Sequence, residues 1–185
     1  MGIKSIMDLV AQHSWWVSPK VYEEIQTVYP QTRRTHGTKE KRGELLEGVC
    51  LWDNQPANHA FWLASGETSR RIKNFFVCHI YEASVWNPLH FTNLGNLTAF
   101  PKCLQSLSEW GPVRGLLKYH SFKTYGYRGP MEIEPAKPNY YPRYWRHQSD
   151  PSPQELTTLV RKLKEQVERR PQYRGVRERI VAARN

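Results

Sequence analysis

The sequence predicts an α+β domain, and three observations predict it. The apolar, β-prone run Ile72, Phe75, Phe76, Val77 and Ile80 reads as a buried strand that carries His79 to its end. A polar, turn-rich stretch follows, with Asn87-Pro88 and Asn93 to Asn96, and gives way to a helix beginning near Pro101, where proline suits a first turn. Apolar residues at helical spacing recur at both ends of the chain, so helices flank this strand, loop and helix core at about residues 72 to 110.

Residues 2 to 12 place Ile3, Ile6, Met7, Leu9 and Val10 on one helical face. Ser18-Pro19 reads as an N-cap and first turn for a second helix through Val21, Tyr22, Ile25, Val28 and Tyr29, ending before Pro30. His13, Trp15 and Trp16 between these helices are expected to pack. The polar stretch from Gln31 to Gly43 sets Arg33, Arg34, Lys39, Lys41 and Arg42 against Glu40, as a phosphate-touching arm or a solvated loop. Gly48 to Trp52 reads as a strand. Asp53, Asn54, Gln55, Asn58 and His59 read as a loop whose amides could meet base edges, although turn chemistry accounts for the same residues.

Between Lys118 and His147, eight aromatics are interleaved with Lys118, Lys123, Arg128, Lys137, Arg143 and Arg146. That mixture suits base stacking with phosphate contact, or a cover for the core. Prolines 130, 135, 138 and 142 imply an extended wrap here. Ser152-Pro153 then opens a helix through Leu156, Leu159, Val160, Leu163 and Val167, followed by an arginine-bearing tail after Pro171. The expected organisation is one domain over 1–150 and a basic C-terminal helix and tail over 151–185.

At 185 residues, with 39% hydrophobic residues and 12% aromatics, the chain can bury a real core and is not of disordered type. A net charge of +10 and a pI near 9.6 favour a polyanionic partner. The excess lies toward the C-terminus: residues 151–185 hold nine Lys or Arg against four Glu, whereas residues 1–60 balance at seven against seven. Cys50, Cys78 and Cys103 are scattered, which argues against a zinc ribbon and a disulfide framework. There is no long apolar run and no secretion-signal pattern, so the expected location is the cytoplasm and no membrane partner is expected; the glycosylation match Asn96-Leu97-Thr98 is set aside accordingly. A nucleobase deaminase fails for want of Pro-Cys-x-x-Cys, and a Walker phosphate loop for want of GxxxxGK[ST].

Cys78-His79-Ile80, a loop, and then Asn96-Leu97-Thr98-Ala99-Phe100-Pro101-Lys102-Cys103-Leu104 leading into a helix resemble the core of HNH, or His-Me finger, nucleases. The resemblance spans roughly a quarter of the chain. It implies a ββα-metal core in which His79 activates water, Asn96 braces the loop, and a divalent cation, Mg2+ or Mn2+, lies by the scissile phosphate. Many members carry an acidic metal ligand where this chain has Cys78, and the position of the family's last histidine or asparagine falls near Gln105. His90 and Gln105 are the metal-ligand candidates, with Glu82 and Glu109 as further donors.

The expected activity is therefore metal-dependent DNA endonuclease action, of a restriction or other defence type, with a non-hydrolysing nucleic-acid-binding protein on the same scaffold as the alternative. Arg70, Arg71, Lys73, Lys102, Lys118, Lys123 and Arg128 are the nucleic-acid-binding candidates. RNA stays open as a substrate. A homodimer would follow from a palindromic target.

Overall fold

A computed structural model describes residues 2–37, 39–67 and 73–169. The chain is α+β, with two small sheets among helices. Helix α1 is Ile3–His13 and buries Met7, Val10 and Ala11. Helix α2 is Pro19–Glu24, where the Ser18 hydroxyl accepts from the Lys20 amide at 3.2 Å as the expected cap. It stops sooner than its apolar spacing suggests. Val28 and Tyr29 are buried, but in irregular chain held by the 92–94 loop: Thr92 accepts the Val28 amide at its carbonyl and the Tyr29 amide at its hydroxyl.

Three short strands, β1 (Thr32–Arg34), β2 (Leu45–Leu46) and β3 (Val49–Trp52), form a sheet in the order β1-β3-β2. β1 runs parallel to β3 and β2 antiparallel to it. The expected loop after β3 is instead helix α3, Gln55–Ala64. Pro56 occupies its first turn and the Asp53 carboxylate accepts the Gln55 amide at 2.8 Å. Asn58 and His59 thus lie on a helix, with the His59 ring bonded to the Tyr29 hydroxyl. Capping and turn chemistry use the same side chains, so the turn-type residues here open a helix.

Strands β4 (Phe75–His79) and β5 (Leu97–Pro101) pair antiparallel, with His79 opposite Leu97 and Phe75 opposite Pro101. Alternation along this ribbon divides the interior. Phe75, Val77, Leu97 and Ala99 face a cluster with Phe61, Trp62, Phe91 and Leu94, while Phe76, Cys78 and Phe100 face a second one with Val10, Trp16, Val113 and Leu117. Trp15 exchanges backbone hydrogen bonds with Ala99 at 2.7 and 3.0 Å, so the chain before α2 extends the ribbon's edge.

The long loop between β4 and β5 contains a 3₁₀ turn at Glu82–Trp86, helix α4 (Pro88–Phe91) and a second 3₁₀ turn at Leu94–Asn96. After β5 a 3₁₀ segment, Lys102–Glu109, takes the place of the expected helix. The α-helix proper, α5 (Gly111–Tyr125), starts later, with Pro112 in its first turn and Gly126 closing it at φ +70°. Lys118, Tyr119, Phe122 and Lys123 are therefore helical, and the proline-rich wrap begins beyond Gly126.

Helix α6, Pro153–Arg169, opens with a reciprocal cap: the Ser152 amide donates to the Glu155 carboxylate at 2.8 Å and the Glu155 amide to the Ser152 hydroxyl at 3.4 Å. Leu163 is buried in the first cluster, with Leu156 and Leu159 packed against it. The arginine-bearing tail lies outside the described residues. No helix among the described residues is long and apolar enough to cross a membrane.

Candidate functional site

The geometry around His79 follows from its place at the last rung of β4. Its parity puts the ring on the Val77 face, where it stacks on Phe91 with centroids 5.3 Å apart and planes 10° from parallel. His79 Nε2 lies 2.9 Å from the Phe91 carbonyl oxygen. A carbonyl only accepts, so Nε2 carries the proton and Nδ1 carries the lone pair. Nδ1 has no hydrogen-bond partner among the described residues, and the residue is partly exposed. Burial against the loop, aided by the Arg34 guanidinium and opposed by the Phe91 carbonyl, lowers the imidazolium pKa to about 4.

Asn96, the last residue of the second 3₁₀ turn and the one before β5, is fully buried. Its Oδ1 accepts the Tyr81 amide at 3.0 Å, and its Nδ2 donates to the Ser84 hydroxyl at 2.6 Å and the His90 carbonyl at 3.0 Å. The Ile80 amide also donates to the Asn96 carbonyl at 2.9 Å. One side chain thus ties the exit from β4, the first 3₁₀ turn and α4 together, and α4 delivers Phe91 to His79. An amide supplies both donors and an acceptor from one planar group, which is why asparagine can do this and a hydroxyl cannot.

Tyr81 completes the wall. Its ring packs edge-on against Tyr127 with centroids 5.7 Å apart, lies under Lys118 Nζ at 4.9 Å, and abuts Gly129. A Cβ at Gly129, whose φ is +77°, would come within 2.5 Å of that ring.

The remaining predicted residues are dispersed. His90 hydrogen-bonds through Nδ1 to the Tyr127 hydroxyl at 2.9 Å and lines a separate shallow cleft with Tyr22, Asn93 and Glu132. Gln105 is exposed on the 3₁₀ segment whose Leu104 and Leu107 pack with Cys78 on the other face of the ribbon from His79. Glu82 is held by Arg114 at 2.8 Å. Burial pushes the Cys78 thiol up to about 12, so it stays protonated at neutral pH.

The donors that the family pattern would assign to a cation therefore do not fit one. Cys78 and Gln105 sit away from His79's face, His90 Nδ1 is bonded to Tyr127, and no cluster of three or more His, Cys, Asp or Glu suited to a metal occurs among the described residues.

Of the basic candidates, Lys118 borders the site through Tyr81. Lys123 lies over Tyr141 at 4.5 Å and Arg128 over Phe122 at 5.5 Å. Lys73 and Lys102 are exposed at the far end of the ribbon, and Arg70 and Arg71 lie outside the described residues. Phe91, Ser84 and Tyr81 were not read from the sequence as site residues. Their roles depend on loop closure over twelve to fifteen positions, which leaves no local pattern.

Comparison with family models finds no match, and neither curated proteins nor solved structures match the chain.

Proposed function

We propose that this chain hydrolyses phosphodiester bonds in nucleic acid, acting as an endonuclease of the HNH kind with His79 as general base. The observation that carries the reading is the pinned imidazole: Nε2–H is fixed on the Phe91 carbonyl, so the lone pair on Nδ1 has a set direction, and the loop that fixes it is cross-braced by Asn96. In the reaction, a water oxygen bonds to phosphorus as its proton passes to Nδ1. The opposite phosphorus–oxygen ester bond breaks, and the departing oxygen keeps the electron pair and takes a proton from solvent. At neutral pH the ring is fully neutral and able to accept, and an adjacent phosphate anion would raise its basicity toward the working pH. The net charge of +10 favours a nucleic-acid polyanion, with DNA as the polymer proposed and RNA open. A divalent cation, Mg2+ or Mn2+, would supply charge against the phosphate oxygens, but the donor set described above does not suit it, and no step is assigned to it.

That misfit favours a second reading, a nucleic-acid-binding protein without hydrolysis. One experiment separates the two: incubate supercoiled plasmid with the protein in Mg2+ or Mn2+, with and without chelator, alongside His79→Ala. The nuclease reading expects nicking that falls by about 100-fold or more in the variant. Retarded but uncut plasmid in every metal supports the binding protein, and cutting that survives His79→Ala ends the role given to His79.

A further inference from the structure

Among the three arginines of the 31–43 stretch, the structure makes a distinction that composition does not. Arg33 is bidentate to Glu40 at 2.7 and 2.9 Å, and Arg42 is paired with Asp53 at 2.9 Å and lies over the Trp52 ring. Arg34 is exposed, and no carboxylate among the described residues pairs with it. Strand β1 packs against α4 and the 82–86 turn, the two pieces of chain that frame His79, and Arg34 is its last residue. Two residues on, His36 stacks on Trp86 of that turn at 4.1 Å, which fixes the course of the chain leaving β1.

We infer that Arg34 is the phosphate anchor of the His79 site, holding the non-bridging oxygens of a phosphodiester next to Nδ1, the ring nitrogen without a hydrogen-bond partner among the described residues. This deepens the nuclease reading and rests on it for the identity of the ligand, but the anchoring itself is a binding property. A guanidinium presents parallel N–H donors that match two phosphate oxygens, and its charge is permanent, so it needs no metal to neutralise the anion. Burial is the main cause of the lowered His79 pKa, and the Arg34 guanidinium adds to it in the same direction. The parity of strand residues explains the division of labour: Arg33 and Arg34 lie on opposite sides of β1, Arg33 bonded to Glu40 and Arg34 on the side of the buried Thr32.

The test is titration of the full chain with dimethyl phosphate and, separately, inorganic phosphate, following the His79 imidazole resonances, assigned by their loss in His79→Gln. The expected result is a saturable shift that weakens about tenfold or more in Arg34→Ala, weakens less in Arg34→Lys, and is unchanged in Arg33→Ala. Backbone spectra confirm that each variant is folded. A wild-type ring that does not respond to either anion, or an Arg34→Ala protein that binds as tightly as wild type, overturns the anchor. The plasmid assay is read apart from this. A phosphate response lost with Arg34 in a protein that never cuts leaves the anchor standing and removes the nuclease, whereas cutting with unchanged KM in Arg34→Ala removes the anchor alone.

Discussion

Burial lowers the pKa of four histidines, His79, His90, His120 and His147, and two of these, His79 and His120, differ in what is done with their nitrogens. His79 has one nitrogen fixed on a backbone carbonyl and the other without a partner among the described residues. His120, on α5, has both engaged: Nδ1 with the Tyr141 hydroxyl at 2.7 Å and Nε2 with His147 Nε2 at 3.0 Å. It also stacks flat on Trp145 at 3.6 Å and sits edge-on to Trp16. Burial, helped by His147 and Lys123, takes its pKa down to about 2. A depressed pKa is thus common to a pinned base and to a packing residue. What separates them is whether a ring nitrogen is left without a hydrogen-bond partner among the described residues.

The comparison can be broken most severely through Asn96. In Asn96→Ala, the Tyr81 amide, the Ser84 hydroxyl and the His90 carbonyl lose their partner in a buried place, and about 3–4 kcal/mol of stability is expected to go. Urea denaturation measures it. A loss below about 1 kcal/mol would mean that the loop does not depend on this side chain.

Acid titration sharpens the contrast. Both histidines take up a proton near pH 6.5 when unfolded, but only near 4 and 2 when folded, so the unfolded state binds more protons as pH falls. Their contribution is whole above pH 6.5 and declines below it, by about 3 kcal/mol for each ring at pH 4. His79→Phe and His120→Phe should each flatten that decline in denaturation curves. Only the first should abolish plasmid cutting. Equal losses of cutting per folded molecule would erase the distinction drawn between the rings.

A smaller effect is expected from Gly129→Ala, where the new Cβ meets the Tyr81 ring and the backbone must hold φ +77°. About 2 kcal/mol is expected from strain and displacement together, read as a lowered urea midpoint, with the His79 resonance moving because Tyr81 is tied to Asn96. Wild-type stability in this variant would show that the wall can shift freely.

Several elements were open to reading because their causes are local. Helix α1 follows its apolar spacing, α6 its Ser152–Glu155 box, and β4 its apolar run. Helix α3 was hidden by Asp53, Asn54 and Asn58, which serve equally as loop residues and as helix openers. The start of α5 was placed too early because Pro101 suits a first turn, yet that residue is still the last of β5.

The candidate site divides along the same line. Local order in the chain is enough to show that a strand end offers a histidine and that an asparagine follows before the next strand. Hydrophobic periodicity and turn chemistry act over a few residues and are written in their order. The tertiary structure alone decided that Phe91 closes on His79, that Asn96 grips three separated backbone and hydroxyl groups, that Cys78 and Gln105 belong to the opposite face of the ribbon, and that Arg34 rather than Arg33 keeps its charge unpaired among the described residues. Those outcomes depend on which face a long loop folds over, and that is set by the packing of the whole interior.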